Sequence, residues 1–110
     1  MERKFSISEA IILLGRISLI EGDINSLISQ CAGGEYESVN AVWDILPHKE
    51  CVAVTSHTTA DITFDSCHLA EAMLGIICKA ADLNEPETAR KAEEIFVRLR
   101  KIQEEINDRE

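Results

Sequence analysis

The residues of this chain best suited to metal chemistry are four cysteines and three histidines. His48 precedes Cys51 by three residues, and Cys67 is followed directly by His68. Thiolate and imidazole groups bind zinc well, so these four residues are the candidate ligands of a metal site. The sequence has no Cys-x-x-Cys pair, which structural zinc sites commonly contain. We therefore predict no bound metal and no cofactor.

Cys67 and His68 are also the best candidates for covalent catalysis. A nucleophilic cysteine needs a base nearby and a third group that orients this base. Neighbouring residues on a helix point about 100° apart, so Cys67 and His68 are poorly placed to act together. A helix N-terminus would lower the pKa of Cys67, whereas the negative charge of Asp65 opposes that effect. Because no nucleophile elbow, phosphate-binding loop or dinucleotide fingerprint occurs either, we predict no catalytic residues and no enzymatic activity.

The elements that position these residues are predicted to be helices. Residues 6–9 have the Ser-x-x-Glu form of a capping box, which marks the start of a helix. The apolar residues that follow recur at alternating steps of three and four, as on one helical face. The favoured prediction is one long helix that ends at Gly33-Gly34, although Gly15 and Gly22 weaken it. The alternative is a break at Gly22-Asp23, with Asp23 capping a second helix. The expected core face comprises Ala10, Leu13, Ile17, Ile20, Ile24, Leu27 and Cys31, widened by Ile11, Leu14 and Ile28.

Three further helices are predicted from the same spacing and from their end signals. One runs from about Glu35 to Leu46 and is closed by Pro47. Another follows Asp65-Ser66, a pair that is typical of a helix N-cap, and its core side is expected to include Cys78. The last starts near Pro86, since proline is tolerated in a first helical turn. The apolar faces of the last two comprise Leu69, Met73, Ile76, Ala80 and Leu83, and Ala92, Ile95, Leu99, Ile102 and Ile106.

The stretch from residue 51 to residue 64 does not fit a helical pattern. Its composition is typical of strands, with polar residues between them that could form a turn. The predicted fold class is therefore all-α, a small bundle of about four helices with a short β-hairpin or an irregular segment near residues 51–64. With 110 residues, the chain is expected to form a single acidic helical domain over residues 1–110.

The charge of the chain favours some classes of partner over others. The chain has 11 basic and 20 acidic residues, a formal net charge of −9. Direct binding to nucleic acid is not expected, because contacts with phosphates require a basic face. No basic residue occurs between Arg16 and Lys49, whereas five acidic residues do. This acidic stretch would attract a basic partner, unless its only role is to keep the protein soluble.

Two aromatic residues, Tyr36 and Trp43, lie within the acidic stretch. Aromatic side chains surrounded by charges are typical of the strongest contacts in protein interfaces. The alternative is that Trp43 completes the core of the bundle. The predicted partner-binding residues are Glu35, Tyr36, Glu37, Trp43 and Asp44.

The leading hypothesis is a small non-enzymatic inhibitor or regulator that binds a more basic protein through an acidic helical surface. Immunity proteins, anti-CRISPR proteins and anti-activators share this size and charge, which is an analogy of class only. A nucleic-acid-binding protein would be a suitable basic partner. The alternatives are a secretion or assembly chaperone that holds a partner helix in an apolar groove, and a small metal-binding or ligand-binding bundle. The long apolar face of the first helix also predicts a homodimer.

The cellular location, and with it the redox state of the cysteines, is predicted from the lack of targeting signals in the sequence. No apolar run resembles the core of a signal peptide, and none is long enough for a membrane span. We therefore expect a cytoplasmic protein without membrane contact, in which the cysteines are reduced.

We predict that Cys31, Cys51, Cys67 and Cys78 are all unbridged and that no zinc is bound. Alkylation of the unfolded chain without reductant should modify four thiols, as counted by intact-mass spectrometry. A mass lower by two hydrogens, or one zinc ion per chain, would contradict this prediction.

Overall fold

The fold is mostly helical, as predicted, with a small sheet at one side. The structure is a computed structural model and describes residues 4–31, 36 and 49–108. In chain order its elements are strand β1 (Lys4–Ser6), helix α1 (Ile7–Gln30), strands β2 (Lys49–Val54) and β3 (Thr59–Asp65), and helices α2 (Cys67–Asp82) and α3 (Pro86–Asn107).

The all-α class and the bundle of about four helices are corrected by this architecture. The described residues form three helices and one three-stranded antiparallel sheet. The helix predicted at residues 35–46 lies outside the described residues, apart from Tyr36. None of the three helices in the described part of the chain is long and apolar enough to cross a membrane.

Helix α1 begins as predicted. The Ser6 hydroxyl oxygen accepts a hydrogen bond from the Glu9 N–H at 3.1 Å, and a Glu9 carboxylate oxygen accepts one from the Ser6 N–H at 3.0 Å. The helix then continues through both of its glycines to Gln30. The seven main residues of the predicted core face, from Ala10 to Cys31, are buried, whereas Leu14 and Ile28, which were expected to widen it, are half-buried. Ile11 is 65% exposed, so its assignment to that face was wrong. Its position is roughly opposite the core side of the helix.

The sheet combines a hairpin, which was one of the two structures expected near residues 51–64, with a strand that was not predicted. β3 is the central strand, with β1 and β2 antiparallel on either side. The hairpin turn is closed by the Thr55 N–H, which donates to the Thr59 carbonyl at 3.0 Å. β1 leads directly into α1, and its Phe5 is buried in the core. The sheet is therefore joined to the helical layer without an intervening loop.

Helices α2 and α3 pack together as a helical hairpin. Between them Asn84 adopts a left-handed conformation with φ of 58°, which asparagine tolerates better than most residues. Ser66 precedes α2, but its side chain does not cap the helix; its hydroxyl donates to the Gln103 side-chain oxygen at 3.0 Å. This contact links the start of α2 to α3.

The predicted core faces of α2 and α3 are buried, with partial burial at Leu83. The expectation that Cys78 lies on the core side is wrong, because Cys78 is exposed. Two residues along a helix correspond to a rotation of about 200°, which turns Cys78 away from the face that Ile76 and Ala80 share.

We predict that Gly22→Ala stabilises the fold. A methyl group at this exposed helical position would meet no atom within 4 Å. Alanine is favoured over glycine inside helices, so the free energy of unfolding should rise by about 0.5–1 kcal/mol. Urea denaturation followed by circular dichroism at low protein concentration measures the change.

The matched control is Ala92→Gly, at a fully buried position of α3. It should lower the free energy of unfolding for two reasons. Glycine has a lower helix propensity than alanine, and the packing contacts of the buried methyl group are lost. A Gly22→Ala variant that is less stable than the parent would contradict the prediction.

Candidate functional site

Tyr36 is the one predicted partner-binding residue that the structure describes. The other four, Glu35, Glu37, Trp43 and Asp44, lie outside the described residues, so their role stays a prediction. The Tyr36 side chain is only 8% exposed, and its hydroxyl donates a hydrogen bond to a carboxylate oxygen of Glu85 at 2.5 Å. Glu85 is the residue that directly precedes α3.

This contact connects residues 35–44, which contain the predicted partner-binding residues and are called the acidic segment below, to the helical part of the fold. Glu35 and Glu37 flank Tyr36 in the sequence, so the segment is attached at the place where α3 begins. The attachment was not foreseen, because Tyr36 and Glu85 are separated by 49 residues. A binding role for Tyr36 itself would require its ring to leave this buried position.

The Tyr36 hydroxyl and the nearby Cys31 thiol both stay protonated at neutral pH, because their pKa values are raised. Burial, followed by the hydrogen bond to Glu85 and the charge of Glu85, raises the pKa of Tyr36 from 10.0 to about 12. Cys31, at the end of α1, is also buried. Its burial and the charge of Glu85 raise the pKa of its thiol, and Lys91 partly opposes this. A protonated thiol is a poor nucleophile, so Cys31 is unsuited to covalent catalysis at neutral pH.

Three polar contacts join α1 to α3 along one side of their buried faces. Arg16 pairs with Glu105 at 2.7 Å, Asp23 with Arg98 at 2.6 Å, and Gln30 accepts from Lys91 at 3.2 Å. Each step moves seven residues forward along α1 and seven residues back along α3, as in antiparallel coiled-coil packing. We call these contacts the α1–α3 ladder. The Arg16 guanidinium holds the pKa of Glu105 below its ordinary value, mainly by hydrogen bonding.

The arginines of the described residues are all engaged within the chain. Besides the two ladder arginines, Arg90 contacts both Glu87 and Glu94, at 2.8 and 2.7 Å. The Arg100 guanidinium lies 5.9 Å from the centre of the Phe96 ring. These four of the 11 basic residues therefore make contacts within the chain, whose net charge is −9.

The residues considered for metal binding and catalysis remain apart or undescribed. Cys67 is exposed at the start of α2, and the Nδ1 atom of His68 lies 3.9 Å from a Glu71 carboxylate oxygen. No group of three potential metal ligands occurs among the described residues, which do not include His48 or the side chain of Cys51. In the same part of the chain, no disulfide joins the cysteines.

Sequence analysis missed an exposed apolar surface on α1. Ile11 and Ile12 are each 65% exposed and Leu19 is 68% exposed. Ile12 and Leu19 are seven residues apart, which is the signal that could have placed them on one side of the helix. We call this surface the outer face of α1; it comprises Ser8, Ile11, Ile12, Gly15, Ser18, Leu19, Gly22, Asn25 and Ser26.

We predict that Tyr36→Phe lowers the free energy of unfolding by about 1–2 kcal/mol at neutral pH, because the bond to Glu85 is lost. The pKa of Tyr36 is about 12 in the folded protein, above the ordinary 10.0. The Tyr36 hydroxyl therefore makes its full contribution to the free energy of unfolding of the parent below pH 10. This contribution is lost as the pH rises from about 10 to about 12. The stability difference between parent and variant should therefore shrink in that range, as measured by urea denaturation.

The chain contains a single tyrosine, so ultraviolet absorbance of tyrosinate reports the titration of Tyr36 alone. The folded protein should show its midpoint near pH 12. A midpoint near pH 10, the ordinary value, would exclude the buried contact with Glu85.

Comparison with known proteins adds no relative to this description. No known protein family, no curated protein and no solved structure matches the chain.

Proposed function

We propose that this protein is a small non-enzymatic inhibitor or regulator that binds a more basic protein through its acidic segment, residues 35–44. The main support is the excess of acidic over basic residues, 20 against 11. Arg16, Arg90 and Arg98 each contact a carboxylate of the same chain. Each of these pairs takes up one positive and one negative charge, so the net charge of −9 is unaffected and would attract a positively charged partner.

The attachment of Tyr36 supports the same proposal. A binding segment that is already tied to the fold loses less conformational freedom on association than one that is not. The hydrogen bond between Tyr36 and Glu85 provides such a tie inside the acidic segment. Glu35 and Glu37 lie beside Tyr36 in the sequence. They would therefore lose less conformational entropy when the partner binds.

Charge and aromatic residues contribute to different steps of the proposed binding. Acidic residues speed the encounter with a basic partner, whereas a buried aromatic side chain such as Trp43 prolongs the complex. If the partner binds nucleic acid, the acidic segment would compete with phosphates for its basic groove. Binding by this protein to nucleic acid itself is not part of the proposal.

A chaperone that holds an apolar partner helix is the second candidate. It is favoured by one observation, the exposure of Ile12 and Leu19 on the outer face of α1. Partner binding that is insensitive to salt would support this candidate over the first, because apolar contacts are not screened by ions. A cytoplasmic location, suited to either candidate, also stays a prediction.

We predict that replacing Glu35, Glu37 and Asp44 together by Lys slows association with a captured partner. The partner is first isolated from the native host by affinity capture with the parent protein. Stopped-flow measurements over a range of salt concentrations should then show association at least about tenfold slower at low salt, with most of its salt dependence lost. Trp43→Ala should instead speed dissociation, provided that circular dichroism shows an intact fold.

The matched control replaces Glu93, Glu104 and Asp108 by Lys. Glu93 and Glu104 are exposed residues of α3, and the exposed Asp108 directly follows its last residue. The change in net charge is the same as in the test variant. The control should slow association much less than the test variant. Equal effects of the two variants would show that net charge alone matters, and would reject residues 35–44 as the binding surface.

A further inference from the structure

One cavity between α1 and α3 has a charge opposite to that of the chain. It has a volume of about 210 Å³ and lies between two contacts of the α1–α3 ladder, the Arg16–Glu105 and Asp23–Arg98 pairs. Three other surface cavities of the described residues each include at least two acidic residues. The charged residues of this cavity are all basic, and the rest are apolar; its lining comprises Arg16, Leu19, Ile20, Arg98, Lys101 and Ile102.

The same spacing on two helices builds the cavity. On α1 a basic residue is followed after three and four residues by Leu19 and Ile20, and on α3 another is followed by Lys101 and Ile102. Residues at these steps share one side of a helix. The register of the ladder brings Leu19 opposite Ile102 and Ile20 opposite Lys101. Ile20 and Ile102 are buried and form an apolar floor, while Leu19 is 68% exposed at the rim.

The basic groups of the cavity keep hydrogen-bond donors for a ligand. Arg16 contacts Glu105 through Nη2, and Arg98 contacts Asp23 through Nη1. A guanidinium has five N–H donors, so each arginine has more donors than these contacts use. The Lys101 ammonium makes no hydrogen bond or ion pair with any other described residue. The cavity therefore offers three cations beside an apolar floor.

We propose that this cavity binds a small aliphatic carboxylate, a free acid with a short hydrocarbon tail. Its carboxylate would accept hydrogen bonds from the Lys101 ammonium and from an arginine N–H, and such charge-assisted bonds are the stronger ones. Its tail would cover the floor formed by Ile20 and Ile102 and would exclude water from it. An inorganic anion would use the cations alone, whereas an uncharged apolar ligand would use the floor alone.

The volume limits the length of the tail. A water molecule occupies about 30 Å³ in the liquid, so the 210 Å³ of the cavity correspond to about seven water molecules. Hexanoate, with about eight non-hydrogen atoms, is close to this size. A ligand with so few atoms makes few contacts, so we expect a dissociation constant of about 0.1–1 mM.

The net charge of −9 does not prevent this binding. At physiological salt, exposed charges more than about 8 Å away are largely screened. The two carboxylates beside the cavity, those of Asp23 and Glu105, are each already paired with one of its arginines. Lys101 is then the positive charge that no neighbouring carboxylate pairs with among the described residues.

Titration of the isotope-labelled protein with sodium hexanoate, followed by NMR, tests the site. The amide signals of residues 19–20 and 101–102 should shift and reach saturation. Acetate, which lacks the tail, and hexanol, which lacks the charge, should each bind at least about tenfold more weakly. Binding of acetate or hexanol as tight as that of hexanoate would overturn the proposal. So would the lack of a saturable shift of these signals up to about 10 mM hexanoate.

Two variants test the roles of the lining residues. Lys101→Gln should weaken hexanoate binding at least about fivefold, and Leu19→Ala about threefold. Both positions are exposed, so circular dichroism should show unchanged helix content. The matched control is Lys91→Gln, which removes the same charge from an exposed residue of α3 outside the cavity. It should leave the dissociation constant within about twofold of the parent value. An equal loss in the two lysine variants would reject the site.

The carboxyl-terminal residue of another protein would offer the same chemistry, a carboxylate beside an apolar side chain. N-acetylleucine, which imitates such a terminus, distinguishes the two sources. Hexanoate should bind more tightly than N-acetylleucine, and the reverse order would overturn the proposal of a free acid. The acidic segment takes no part in this test, so its outcome is independent of the proposed function.

Discussion

The antiparallel packing of α1 on α3 is the constraint on which the rest of the described structure depends. The buried faces of the two helices repeat at steps of three and four, so they can meet along their length. The α1–α3 ladder sets their relative position, since a shift by one turn would separate Arg16 from Glu105 and Asp23 from Arg98. Exposed ion pairs add little stability, but they distinguish one register from its neighbours.

The sheet and the Tyr36 contact lie at opposite ends of the α1–α3 pair. At one end β1 leads directly into α1 and pairs with β3, so the position of the sheet depends on the position of α1. At the other end Cys31 and Tyr36 lie against the start of α3, where Glu85 accepts the tyrosine hydroxyl. The acidic segment and the sheet are thus attached at opposite ends of α1.

The sequence was sufficient for features that depend on local spacing. The capping box and most of the buried helix faces follow from patterns of a few residues, whereas the hairpin was one of two alternatives that such patterns left open. β1 was missed because three residues are too few to show alternation, and its partner strand lies far away in the sequence. The predicted burial is wrong at Ile11 and Cys78, because an apolar residue of a helix is buried only where its angular position faces the core. The Tyr36 contact depends on a residue of the distant α2–α3 connection, which no local pattern reveals.

The ladder has a consequence for the order in which the chain folds. α2 and α3 are joined by a short connection, so their association requires little loop closure. Asp23 and Arg98 are separated by 75 residues, and contacts of such long range form slowly. We expect the helical hairpin to form first and to present its apolar groove to α1. When α1 docks there it brings β1 to the edge of β3, so that the sheet and the helix layer are completed in one cooperative step.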